Sequence, residues 1–257
     1  MRKLLFWFLL FPLSLWAQTN ETDSLKLKAE VSLTGFWQTG NVNTVIFRTK
    51  ADLTYKAHEN WVFETKNSYL YQEFGKVKAD EDILSLNFLS YKPQNRFFPL
   101  MIGIISSNFR REIAVRYIVG AGATFKAIEK DEDYLKFSMS FEYENTNFRK
   151  NDFNFDGYNG MSSINTVRNT IWLSGKTGLF KRKVITSLEA YFQPSVEDRN
   201  NFRWQADLSF ELPISKRINF KVNYLHTYER IVIEGQEQED RFLTFGLKWQ
   251  SYGTLKK

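Results

Sequence analysis

Two histidines, His58 and His226, are the only imidazoles in the chain, and there is no cysteine. That inventory restricts nucleophilic chemistry at once. A serine hydrolase needs a histidine base held close to its hydroxyl. His58 lies in HEN, a short connection between two alternating segments. His226, in LHTYER, is better placed, with Ser187 or Glu189 on a neighbouring segment as partners. It nevertheless shares the parity of Phe220, Val222 and Tyr224 and so points with the apolar side chains. The expectation is no catalytic residue and no enzyme. Hydrolysis of lipid at an apolar rim is kept as a third reading.

Metal and cofactor chemistry fares no better. Without cysteine, neither a disulfide framework nor a thiolate metal site can form. Oxygen ligands occur in DEDY at 131–134 and in NDFNFDGYNG at 151–160, but the second lacks the bidentate Glu of the calcium-loop pattern. It reads as a solvated surface loop, and no metal or cofactor is expected. The 35 Lys and Arg, less Arg2 and Lys3 of the first residues, stand against 29 Asp and Glu, a mild and scattered excess that does not indicate nucleic-acid binding.

The charged residues carry most of the remaining information, because they alternate with apolar ones. In 202–212, FRWQADLSFEL, Phe202, Trp204, Ala206, Leu208, Phe210 and Leu212 occupy one parity, and Arg203, Asp207 and Glu211 the other. Strict alternation is a strand with two unlike faces. Segments of this kind recur at 25–38, 42–57, 61–74, 82–92, 97–107, 113–127, 134–147, 163–177, 183–194, 201–213, 217–231 and 239–252, about 12 in all. A soluble β-sandwich uses strands of about 5 or 6 residues. These run about twice that, which suits a membrane barrel, where about 9 to 11 tilted residues cross the hydrocarbon.

Connection lengths agree with such a barrel. Those after even-numbered segments, such as HEN at 58–60 and PQNR at 93–96, are short. Those after odd-numbered ones include the long 148–163, GKVKADE at 75–81, SVEDRN at 195–200 and EGQEQE at 234–239, although QTGN at 38–41 and FRRE at 109–112 are brief. Trp37, Trp61, Phe63, Tyr69, Tyr71, Tyr117, Phe125, Phe192, Trp204, Tyr224 and Trp249 lie toward strand ends on the apolar face, as in the aromatic girdles of barrels.

The parity rule then assigns the other face to the lumen. It collects Arg48, Lys50, Asp52, Glu64, Arg116, Lys126, Glu142, Glu144, Arg168, Glu189, Arg203, Asp207, Glu211, Lys221 and Lys248, with Lys28, Glu30, Lys66, Lys136 and Lys176. A strongly selective pore shows rings of one sign. Mixed signs predict a salt-bridged network filling the interior, with a narrow diffusion channel for small solutes as the alternative.

The first residues, MRKLLFWFLLFPLSLWA, order a basic start, a short apolar run and a small residue. This reads as a signal peptide over 1–17, with the barrel as one domain over 18–257. The run is shorter than the roughly 20 residues a membrane helix needs, and it contains Pro12.

Two stretches resemble a known family. SLTGFWQTGNVNTVIF at 32–47, with Gly40 and Asn41 at the turn, and RYIVGAGATFK at 116–126, with Gly120 and Gly122 in mid-strand, are similar to the family called domain of unknown function 481. Its members are described as outer-membrane proteins, some labelled salt-induced. The resemblance implies an outer-membrane barrel with a structural, envelope-stress or salt-stress role. It carries over no functional residue. The combined expectation is an all-β chain, a transmembrane antiparallel up-and-down β-barrel in the outer membrane of a Gram-negative bacterium. It contacts outer-membrane lipid, binds no nucleic acid and is monomeric.

Overall fold

A computed structural model describes residues 27–40, 43–130 and 132–253, without the side chains of Tyr252 and Gly253. The stretch read as a signal peptide, Asn41 of the first turn and Asp131 of DEDY lie outside the described residues. Among the described residues there are twelve strands: β1 (Leu27–Gln38), β2 (Thr44–His58), β3 (Trp61–Phe74), β4 (Val77–Tyr91), β5 (Phe97–Asn108), β6 (Ile113–Lys130), β7 (Asp133–Phe148), β8 (Ser163–Leu179), β9 (Val184–Pro194), β10 (Phe202–Pro213), β11 (Ile218–Glu229) and β12 (Glu239–Gly253). Each pairs with its neighbours in chain order, and β1 pairs antiparallel with β12 from Leu27 opposite Gly253 to Gly35 opposite Phe245. The sheet is a closed, antiparallel up-and-down barrel of the outer-membrane type. Closure leaves no strand edge unpaired.

Alternation explains the wall. Leu33, Val119, Phe141 and Leu243 point outward and are more than half exposed, whereas Glu142, Glu144, Thr170 and Asn223 point inward and are buried. Mid-strand glycines bring two strands together. A Cβ on Gly122 would lie 2.7 Å from the Cα of Ser140, and one on Gly120 would lie 2.9 Å from the Cα of Glu142. The β6 and β7 backbones therefore approach more closely than side-chain-bearing residues allow.

β4 departs most from the sequence expectation, starting at Val77 rather than 82. The expected loop 75–81 is a two-residue turn in which Gly75 (φ 58°) and Lys76 (φ 68°) are both left-handed, the geometry of a tight hairpin. Ala79 has no partner between the pairs Gln72–Asp80 and Glu73–Lys78, so it forms a bulge. The extra residue interrupts the period of two, which hid the strand.

The connection at 151–160 is only in part the solvated loop expected: most of its residues are exposed, but Phe153 is buried and Phe155 and Tyr158 are half-buried. It holds one turn of 3-10 helix, Asp156–Tyr158. Phe153 bridges Ile233 of the β11–β12 connection, and Asn154 N–H donates to the Val232 carbonyl at 3.0 Å. Phe153, Ile164, Ile231 and Ile233 form a small buried core there. The runs FNF at 153–155 and IVI at 231–233 meet there, with Ile231, Val232 and Ile233 all buried. Tyr158 ties this cap to the β9–β10 connection, its hydroxyl donating to Asp198 Oδ2 at 2.7 Å. Burial and the Asp198 carboxylate push the Tyr158 hydroxyl up to about 12.

Candidate functional site: the barrel interior

The interior is built by the inward parity of all twelve strands, and its side chains meet across the lumen in three groups. Toward the end that bears the cap, Glu144 of β7 is the hub. It accepts from Arg168 Nε of β8 at 2.7 Å, from Arg203 of β10 through NH1 at 3.0 Å and NH2 at 2.5 Å, and from the Thr146 hydroxyl at 2.9 Å. Arg116 of β6 lies 3.5 Å from the same carboxylate and also pairs with Glu229 of β11, five places away around the ring. Glu142 accepts from Ser140 at 2.7 Å, Thr170 at 2.8 Å and Gln193 Nε2 at 3.0 Å. Arg168 also donates to the Gln193 carbonyl at 2.9 Å and to Asn201 Oδ1 at 2.8 Å.

Arg111, in the β5–β6 turn, folds into the mouth. It donates to Glu229 at 2.9 Å, to Asp240 at 3.0 Å and to the Thr227 hydroxyl at 3.2 Å on the opposite wall. The adjacent Arg110 pairs with Asp240 and, at 3.4 Å, with Asp80. This turn therefore latches β5 and β6 to β11 and β12.

At mid-height Arg48 of β2 donates to Asp207 of β10 at 3.0 Å and to Asn223 of β11 at 2.8 Å, while Lys50 also pairs with Asp207. Nearer the chain termini, Lys66 of β3 bonds Glu189 of β9 at 3.0 Å, and these two strands are six places apart in a ring of twelve. Glu64 lies 3.6 Å from Lys66, and Asp52 is the cross-strand partner of Lys66. Lys248 bridges Glu211 at 3.0 Å and Glu30 at 2.9 Å, Lys221 is buried opposite Glu211 in the β10–β11 register, and Lys126 pairs with Glu129 at 2.6 Å. The fifteen candidate residues share the parity of these groups, and most meet partners from other strands.

Beside these groups sits an apolar cluster that sequence reading missed. Leu86 of β4, Leu100, Ile102 and Ile104 of β5, Ile118 of β6 and Trp172 of β8 are buried together, with Leu84, Phe88 and Tyr191 against them. Trp172 meets Phe88 edge-on at 6.0 Å between centroids, spanning four places of the ring. The interior is therefore part ionic and part greasy, which corrects the expectation of a purely charged filling. β5 is apolar on both faces, so periodicity alone could not reveal its inward side. Glu229 was within reach of the parity rule, since it lies an even number of residues from Lys221. Arg111 was not, because a turn has no period.

A cavity of about 80 Å³ beneath the mouth is lined by Asp80, Asp82, Arg110, Arg111, Arg203 and Leu225, among others. It accommodates a few waters. His226 stays on the outward rim, bonded to Glu239 and packed at 4.5 Å against Trp204, while Glu189 points inward to Lys66. The base and the partners named for it in the hydrolase reading lie on opposite sides of the wall. His58 sits at the β2–β3 turn, its Nδ1 3.4 Å from the Asn60 amide. Among the described residues no group of three or more His, Asp or Glu is arranged to hold a metal.

A family model described as "Protein of unknown function, DUF481" matches residues 29–250, nearly the whole barrel. The chain belongs to the DUF481 family. No curated protein matches this member's sequence. Among solved structures it is similar to the NanC porin, with 11% identity, a TM-score of 0.51 and coverage of 86% of this chain and 98% of that one. It is also similar to the translocator domain of the autotransporter NalP from Neisseria meningitidis, with 11% identity, a TM-score of 0.45 and coverage of 89% and 90%. At these identities the likeness is one of fold.

Proposed function

We propose that this DUF481 protein is an outer-membrane β-barrel whose lumen is closed at rest by its own side chains, and that it serves the envelope structurally rather than as an open pore. The single observation that carries this reading is the set of contacts between opposite walls, above all Lys66 with Glu189 and Arg111 with Glu229 and Asp240. Apolar side chains exposed over most of the wall support a lipid environment, in which only closed barrels and helices satisfy every backbone group. The basic-then-apolar first residues support export to the envelope. A role under envelope or salt stress rests on the family's label alone, and no catalytic role is proposed for any residue.

The deciding measurement is conductance of purified protein in planar bilayers. A quiet bilayer is expected, and steady unitary steps from the unaltered protein would overturn closure. Fractionation of the producing cells tests location, with a soluble periplasmic protein as the overturning result. A narrow channel for small solutes is the second reading, favoured by the fold shared with a porin and by a latch that hangs on one turn. Under it, Arg111→Ala raises a conductance already present in the unaltered protein.

A further inference from the structure

One sector of the wall, at β3 and β4, is polar on its outer face at mid-strand. On β4, Leu84, Leu86 and Phe88 pack inside, in or against the apolar cluster, and Ser85 and Asn87 point out. On β3 the outward positions between the aromatic ends are Thr65 and Asn67, flanked by Ala51 of β2 and Gly103 of β5. All lie in the middle of their strands, between Trp61 and Tyr91 at one end and Tyr69 with its Glu81 partner at the other. β1 and β12, nearby in the ring, carry Leu33, Phe245 and Leu247 outward, each about half exposed. Lipid-facing strands put apolar side chains out and polar ones in. At mid-strand β4 does the opposite, and β3 turns Thr65 and Asn67 outward although its inner face stays polar at Glu64 and Lys66, at the depth where hydrocarbon offers an amide nothing to bond.

We propose that this sector is covered by a second copy of the same chain. The inference rests on the outer-membrane reading, since in water such a face needs no cover. Hydrogen-bond capacity identifies the occupant. Asn67 Nδ2 donates to Thr65 Oγ1 at 3.0 Å and to the Ala51 carbonyl at 3.4 Å. Asn87 Nδ2 donates to Ser85 Oγ at 3.1 Å and to the Gly103 carbonyl at 3.3 Å. Both amide oxygens and both hydroxyl protons are then left without a partner among the described residues. Acceptors and donors are thus present in equal number on one face.

The register arranges them for a two-fold. Asn67 lies opposite Ser85 across the β3–β4 pair, and Thr65 lies opposite Asn87. A two-fold axis along the membrane normal sets β3 of one copy against β4 of the other. Each amide oxygen then faces a hydroxyl, which is the self-complementarity an isologous interface requires. Ala51, Ser85 and Gly103 keep the face low enough for two walls to approach. Beside them, a groove of about 360 Å³ lined by Gly103, Ile105, Tyr117, Val119 and Tyr143 gives larger outward side chains of the second copy a place to seat.

The absence of cysteine makes the test direct. Single-cysteine variants Ser85→Cys and Asn67→Cys, with Phe245→Cys on the outer face of β12, are made in the full chain, and folding is checked by the shift in gel mobility on boiling. A short bis-maleimide is applied to outer-membrane vesicles, and each cysteine, labelled with a fluorophore, is tested for quenching by brominated lipid. The proposal expects Ser85→Cys and Asn67→Cys to yield a product at twice the monomer mass, with their labels poorly quenched. Phe245→Cys stays monomeric and its label is strongly quenched. Strong quenching at Ser85→Cys with no dimer, or linkage to a different protein, overturns the proposal. Failure of lipid to quench at Phe245→Cys overturns the membrane reading instead, so the two failures are distinguishable.

Discussion

Glu144→Gln is the sharpest probe of a sealed interior. The substitution keeps the side chain's shape and removes the one carboxylate that Arg168 and Arg203 both grip and Arg116 approaches at 3.5 Å. A glutamine retains one accepting oxygen. If that oxygen takes the place of Oε1, the bonds from Arg168 Nε and Arg203 NH2 to Oε2 are lost. Charged hydrogen bonds contribute about 1.5–3 kcal/mol each, so two amount to about 3–6 kcal/mol. Breaking a buried pair by deleting one partner costs a similar 3–5 kcal/mol, roughly, because the other charge stays buried. A loss of about 3–5 kcal/mol is therefore expected in urea unfolding of the detergent-solubilised barrel, followed by tryptophan fluorescence. Adding Arg168→Met should restore part of it, since one uncompensated guanidinium is gone. A loss below about 1 kcal/mol, the range of exposed ion pairs, would mean that water bathes these groups, and the sealed lumen would have to be abandoned.

Three further outcomes are expected. Leu208→Arg, at an outward position in the middle of β10, should destabilise the barrel by about 2–4 kcal/mol in lipid, and a neutral effect in lipid-bilayer unfolding would argue that this wall does not face hydrocarbon. Gly122→Val forces a Cβ to within 2.7 Å of the Ser140 Cα, so β6 and β7 must part. The expected cost is about 1–3 kcal/mol, read as a lowered unfolding midpoint. Asp198 is held below its ordinary value of 3.8 by the bond from Tyr158, so this contact steadies the cap above that value and is lost as pH falls through the lowered one. Protection at 149–162, with exchange corrected for the pH dependence of the intrinsic rate, should weaken as pH falls well below 3.8, and Tyr158→Phe should remove that contact's share of the difference.

The barrel was legible because a strand of a closed wall announces its two environments at every second residue. β10 is the clearest case, with Arg203, Asp207 and Glu211 inside and Leu208 and Phe210 outside along one uninterrupted period. The fifteen candidate residues were drawn from the same rule. Where the period fails, so did the reading. Ala79 adds one residue and hid the start of β4. FFPLMIGII at 97–105 is apolar at both parities, so the greasy half of the interior left no signal. Arg111 acts from a turn, and its partners Glu229 and Asp240 lie more than a hundred residues away. Pairing across a lumen depends on ring position and height, and neither is written in any local pattern.

The two departures from the period belong together. A barrel filled wholly by charge would need its walls apolar outside all the way round, and each buried ion would need partners to offset its desolvation. Here β4 and β5 supply a greasy inner face against Trp172 and Tyr191, so that part of the lumen is closed without any ion pair. The consequence falls on the outside of β4, where alternation leaves Ser85 and Asn87 at the depth of the acyl chains. On β3 the inward face stays ionic at Lys66, and Thr65 and Asn67 point outward all the same. Alternation therefore accounts for the polar outer face of β4 but not for that of β3. Two adjacent strands share the outer chemistry without sharing the inner one, which argues that the outer face has its own physical cause, and a second copy of the wall supplies it.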